Sequence, residues 1–283
     1  MPRFSRFSLF SFLVLAVGAS LNPSASEAKP TLNPEQSEAK PRVVEAKPRV
    51  SAKIKAPGFS RALKFTGEPR LSQLTDQLQW HNVYWPSARL CTPALQQKLN
   101  ARKAGIIAQL QLLATVYKND DQQALAGATQ ALTEQVKRWP LWAHFAKAGE
   151  QGMQPAVIAA NVQQNWLLQH QQQPYFLTVG DQPQQIHWVG LTKQAGSYAF
   201  SSQPLIDWLA SRQQAQLTNP EFVWEVTLNG SINQVGLYPH NSNNEYLQPG
   251  AVLFSGYQPG DLPDGFKNTN AELVDLLRYW QPG

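Results

Sequence analysis

Cysteine is nearly absent: Cys91 stands alone in 283 residues. One thiol cannot close an intrachain disulfide, and nothing around it has the spacing of a metal site, so Cys91 reads as a small buried hydrophobe. The five histidines, His81, His144, His170, His187 and His240, are scattered without a His-x-x-x-His pair, so no metal is expected. His187 alternates with Ile186 and Trp188 and reads as solvent-facing. There is no Gly-x-Ser-x-Gly elbow, phosphate-binding loop or dinucleotide fingerprint, so no catalytic residue and no cofactor is assigned. Paired carboxylates for glycoside chemistry meet only in space and stay open. Basic charge is also scarce where nucleic-acid binding would need it. The net charge is +5, but residues 1–70 carry +7 and residues 71–283 carry −2. The high isoelectric point belongs to the start of the chain, and nucleic acid is excluded as a partner.

Long apolar runs are missing too, save one. Leu9 to Ala19 follows Arg3 and Arg6 and has the length of a secretory h-region, too short to span a bilayer. Residues 1–28 therefore read as a Sec signal cleaved near 19 or 28, and the mature chain as lacking a transmembrane helix. No cysteine lies there for lipid attachment. Residues 29–49 form a Lys/Pro-rich linker in which Glu-Ala-Lys-Pro recurs at Glu27–Pro30, Glu38–Pro41 and Glu45–Pro48. It holds too little apolar surface to fold alone.

The folded part begins near Val50. Val50 to Lys55 alternates as a strand, Pro57-Gly58 turns it, and Ala62 to Phe65 returns. Leu71 to Leu78 is a short helix. Residues 93–136 carry leucines at helical spacing, with Thr92 as cap and Pro93 in the first turn, and break at Asn119-Asp120-Asp121, which makes a helical hairpin. From Pro155 the pattern reads as strands: Ala156 to Ile158, then Pro174 to Val179 turning at Gly180-Asp181 into Ile186 to Leu191. A helix at Pro204 to Ala210 follows. Glu221 to Leu228 and Ile232 to Tyr238 flank Asn229-Gly230, a type I′ signal, and Ala251 to Phe254 closes the set. This order suggests an α+β chain with two β-grasp domains, at 50–172 and 173–258. The first carries the helical hairpin as an insertion, and residues 259–283 add a loop and a C-terminal amphipathic helix.

These residues resemble the GfcC family of periplasmic proteins from group 4 capsule operons. Tyr84-Trp85-Pro86 with Ala88-Arg89-Leu90 is similar to the family's aromatic-Trp-Pro-Gly-Ala-Leu segment, with Ser87 in place of glycine. Lys137 to Leu141 resembles its Gly-Arg-Leu-Pro-Val segment, Ile186 to Leu191 one of its strands, and Leu247 to Tyr257 its Pro-Pro-Gly segment. The linker at Lys29 to Pro48 and a longer loop at 142–154 depart from it. The resemblance implies β-grasp domains like those of outer-membrane polysaccharide export proteins, periplasmic residence and no known catalysis. It also implies an arginine in an enclosed pocket, which on this chain falls on Arg138.

Arg138 is thus a candidate for binding a sugar hydroxyl, carboxylate or phosphate, with a structural arginine bonded to carbonyls as the alternative. Of nine tryptophans, Trp85, Trp139 and Trp142 lie in loops and are candidates for stacking on sugar rings, against core packing. In the closing helix, Leu273, Leu276, Leu277 and Trp280 form a narrow apolar stripe suited to docking. Asn270 to Trp280 would be about 16 Å long against a hydrocarbon core of roughly 30 Å, so it does not span a membrane. The leading expectation is a non-enzymatic periplasmic factor for capsule or exopolysaccharide biosynthesis or export, partnered by the glycan or by the outer-membrane export complex. The alternative is a polysaccharide-modifying enzyme with a spatially assembled carboxylate pair.

Overall fold

The computed structural model describes residues 49–145, 153–211, 221–237 and 246–281. The expected signal sequence, nearly all of the linker and the middle of the loop at 142–154 lie outside the described residues. Both sheets belong to one unit, Ala46–Gly283.

The alternation at the start of the chain makes β1 (Arg49–Ala56), which buries Val50, Ala52, Ile54 and Ala56 and turns the residues between them outward. It pairs antiparallel with β2 (Phe59–Thr66). α1 (Leu71–Thr75) and a 3₁₀ turn at Asp76–Leu78 supply Leu71, Leu74 and Leu78 to the core beneath this hairpin. Two further strands complete the first sheet. β3 (Arg89–Cys91) pairs antiparallel with β4 (Tyr175–Thr178), and β4 runs parallel to β1, in the order β2-β1-β4-β3.

The second sheet contains β5 (Gln185–Gly190), β6 (Gly196–Ala199), β7 (Phe222–Val226), β8 (Ile232–Gly236) and β9 (Val252–Ser255). Its order is β6-β5-β9-β7-β8, with β9 parallel to β5. Each sheet thus starts with a hairpin and brings its last strand back beside the first, as a β-grasp does. Among the described residues, the first sheet has no strand corresponding to β8.

Three sequence readings differ from this. The strand expected at 174–179 pairs with β1 and β3, not across Gly180-Asp181 with β5, so the first sheet's strands run past residue 172 to Thr178. Adjacency in sequence favours the hairpin reading, whereas the parallel pairing with β1 is wholly non-local. The short strand expected at Ala156–Ile158 is helix α4 (Pro155–Ala160), where Pro155 fits a first turn and three alanines favour helix. At Asn229-Gly230, only Gly230 has positive φ (83°), and its N–H bonds to the Thr227 carbonyl at 2.9 Å. That excludes type I′ and fits a three-residue loop with a glycine bulge.

The helical hairpin forms as α2 (Pro93–Asn119) and α3 (Gln123–Arg138). Thr92 Oγ1 caps α2 by accepting from Leu95 N–H, and Lys103 Nζ bonds the carbonyls of Lys137 and Trp139 where α3 ends. The hairpin packs on the second sheet. Leu110, Leu113, Leu132 and Val136 share one core with Val189, Val226, Val252 and Phe254, and with α6 (Thr269–Leu277). α5 (Leu205–Ala210) covers the opposite face through Trp208. Leu273, Leu276 and Leu277 are fully buried within the protein, a gain of about 2 kcal/mol each. Among the described residues, no helix is long and apolar enough to cross a membrane.

Gly190 ends β5 at φ +104°, and an added Cβ would come within 2.1 Å of the Ser255 carbonyl oxygen. Only glycine fits there. Gln135 of α3 then bonds both backbone groups of Gly190, at 3.0 and 3.1 Å, fastening the hairpin to β5.

Candidate functional site

β3 is an edge strand of three residues. It sends Leu90 into the first core and Arg89 to the other face, opposite Thr178. The Arg89 guanidinium reaches across to the second domain. Nη1 donates to the carbonyls of Pro86 (3.1 Å) and Ala88 (2.9 Å), and Nη2 donates to the Leu228 carbonyl. Among the described residues no carboxylate pairs with it. Burial lowers its pKa from the ordinary arginine value to about 10. Carbonyl dipoles hold this cation with no carboxylate partner among the described residues, an arrangement suited to an anion.

Arg89 stands in a cleft of about 920 Å³ where the ends of β1 and β4, the connection from Gly180 to Gln185, the Leu228 turn and the end of the chain meet. Lys55, Trp142, Asp181, His187 and Trp280 share its lining. The two tryptophans come from segments far apart in sequence that are zipped together. Trp142 N–H donates to the Tyr279 carbonyl at 2.8 Å, Gln281 N–H donates to the Pro140 carbonyl at 2.8 Å, and Leu141 and Trp280 form an antiparallel bridge. Ser87 fixes the opposite rim. Its hydroxyl accepts from Gly180 N–H at 2.8 Å and donates to the Tyr84 carbonyl at 2.7 Å. Ser87 thereby clamps the interdomain connection.

Three of the lining residues carry buried ring nitrogens without a protein partner: Nε1 of Trp142, Nε1 of Trp280 and Nε2 of His187. Each such group costs about 1–3 kcal/mol while unmade. His187 is buried, not solvent-facing as its alternation suggested, because the segment after α6 covers that end of β5. Its ring lies 4.9 Å from that of Trp280, and its Nδ1 lies 2.9 Å from Ser197 Oγ. Burial lowers its pKa, favouring the neutral imidazole. Nearby His144 is pushed down to about 4, first by burial and then by the Arg89 charge, and its ring lies tilted at 5.1 Å from that of Tyr279.

The sequence candidates divide. Trp142 lines the cleft, and so does Trp280, which was expected in a docking stripe. Trp139 is buried behind them, edge-on to Trp280 at 6.3 Å. Trp85 packs, partly buried, on the first core. Arg138 is exposed at the end of α3 and not enclosed, because α3 turns that side of its last turn to solvent. Cys91 is buried, its thiol pushed up to about 11 by desolvation, which disfavours the nucleophilic thiolate. Among the described residues, no group of three His, Cys, Asp or Glu side chains is placed to hold a metal. Arg89 was missed although it lies within the quoted Trp-Pro segment. A three-residue strand gives too little alternation to show which way its arginine points.

Two indoles and a cation lining one cleft are a chemistry for binding an anionic ring compound. Two family models match the chain: "Capsule biosynthesis GfcC, N-terminal" over residues 49–174 and "Capsule biosynthesis GfcC C-terminal" over residues 194–282. No curated protein matches it.

Proposed function

The chain belongs to the GfcC family of capsule-biosynthesis proteins, and we propose that it serves capsule biosynthesis by binding acidic glycan in the Arg89 cleft, without catalysis. It acts in the periplasm, delivered by the signal at residues 1–28, and hands or anchors polymer at the outer-membrane export complex. The observation that carries this reading is the largely desolvated guanidinium of Arg89, partly buried and without a carboxylate partner among the described residues, in the cleft that Trp142 and Trp280 also line. A uronic-acid carboxylate or a sugar phosphate supplies the missing charge, and the indoles take the ring face.

The enzyme reading has less behind it. Among the described lining residues Asp181 is the sole carboxylate, whereas glycoside hydrolysis normally uses two, about 5–10 Å apart. Release of reducing ends from purified capsule by the protein would reverse that judgement. The test in cells is deletion of the gene, followed by complementation with wild type or with Arg89→Gln at equal protein level. Surface polysaccharide should be restored by wild type and reduced with the variant. Equal staining for both would defeat the proposal.

A further inference from the structure

The two sheets differ in how their faces are used. Helices cover both faces of the second sheet. On the first sheet, α1, its 3₁₀ continuation and α4 cover one face, while Lys53, Lys55 and Lys64 remain exposed on the other. The pairing register fixes which residues share this open face. Ser51 lies opposite Lys64, Lys53 opposite Ala62, and Lys55 opposite Ser60 on β2, while Lys53 and Lys55 pair with Phe176 and Thr178 on β4. Thr178 pairs in turn with Arg89.

The described residues of this face include no carboxylate, and none of its lysines has an ion-pair partner among the described residues. Like charges spaced along one surface repel one another and lower stability slightly. Phe176 sits among them partly exposed, with Lys53 Nζ 6.0 Å from its ring centroid. β1 and β2 are each eight residues long, so the face extends about 26 Å. At one end it runs into the cleft, because Lys55 and Arg89 belong to both.

We infer that the open face of the first sheet is a track for an extended polyanionic polysaccharide, one acidic residue of which enters the Arg89 cleft. This rests on the cleft reading above and adds to it a chain-length requirement. The lysines meet successive carboxylates, Phe176 offers a flat apolar patch to a sugar face, and the serine and threonine hydroxyls take sugar hydroxyls. Continuity with an aromatic cleft favours a glycan over an anionic lipid surface, which would need charge alone.

The test compares galacturonate monosaccharide, polygalacturonate and phosphatidylglycerol vesicles, titrated into wild type and into Lys53→Ser/Lys64→Ser. Both substituted lysines are exposed and outside the cleft. Wild type should bind the polymer more tightly per uronate than the monosaccharide. The double variant should lose about tenfold for the polymer, a few-fold per exposed charge, and under about twofold for the monosaccharide. Salt of about 0.5 M should erase the difference between variant and wild type. Equal polymer binding by both proteins, or no preference of wild type for the polymer, overturns the track and leaves the cleft reading standing. Loss of vesicle binding with unchanged polymer binding also overturns it, in favour of a lipid surface. Lysine-dependent polymer binding with no binding of the monosaccharide keeps the track and sinks the cleft.

Discussion

Replacing Arg89 with glutamine removes a charge that the fold holds at a cost. Burial lowers its pKa from the ordinary arginine value to about 10, which makes the charged form about 3 kcal/mol less favourable in the folded state than in the unfolded one. Because a base with a depressed folded-state pKa is disfavoured while protonated, this cost is full below pH 10. It fades only as pH climbs from about 10 towards the ordinary arginine value. Against it stand three hydrogen bonds to the carbonyls of Pro86, Ala88 and Leu228, worth about 1 kcal/mol each. The two sides nearly cancel. Arg89→Gln should therefore change stability at neutral pH by no more than about 2 kcal/mol, or about 6 °C in Tm for a chain of this size. Galacturonate binding should behave differently. Removing one partner of a desolvated charge pair costs about 2–5 kcal/mol, so affinity should fall by at least about 30-fold. Thermal unfolding and calorimetric titration of the same preparations check both numbers. A variant destabilised by more than about 4 kcal/mol, or one that binds within about threefold of wild type, would refute the reasoning and make Arg89 a structural strut.

Other perturbations test neighbouring parts of the account. The folded-state pKa of His144 is about 4, so its neutral form supports the fold above the unfolded value near 6.5 and support is lost as pH falls. Urea unfolding should show about 2.5 kcal/mol of that loss by about pH 4.5, and His144→Gln should remove this component. Leu276→Ala in the fully buried face of α6 should cost about 2–5 kcal/mol in chemical denaturation, which a stripe reserved for an outside partner would not. Arg138→Ala, at an exposed helix end, should alter stability by under about 0.5 kcal/mol and leave galacturonate affinity unchanged in titration.

Much of the fold was legible because local patterns carried it. Val50 to Ala56 alternates cleanly, Thr92-Pro93 announces a long helix, and Leu273, Leu276 and Leu277 mark one buried stripe. Reading failed where the deciding partner was distant in sequence. Tyr175–Thr178 looks like half of a local hairpin until β1 claims it from more than a hundred residues away. β6, short and mostly exposed, offers almost no pattern to read. The site was the least legible part. Trp142 was named for its loop position, but its partner Trp280 was assigned to a docking stripe, since nothing local indicates that residues 140–142 zip to 279–281. Arg89 and His187 became candidates only once two domains and the chain end closed around them. Arg138 was singled out by the family resemblance and its place before Trp139 and Pro140, yet only the tryptophan turns inward.

The central claim is that this cleft recognises an acidic sugar through the desolvated Arg89 cation and the indoles of Trp142 and Trp280. Its most direct test is ¹⁵N NMR of the tryptophan indole N–H groups during titration with galacturonate and, separately, with neutral galactose. The signals of Trp142 and Trp280, assigned by Trp→Phe variants, should shift with galacturonate, stay in place with galactose, and stop responding in Arg89→Gln. Indole signals that ignore galacturonate, or that respond equally to the neutral sugar, would contradict the account.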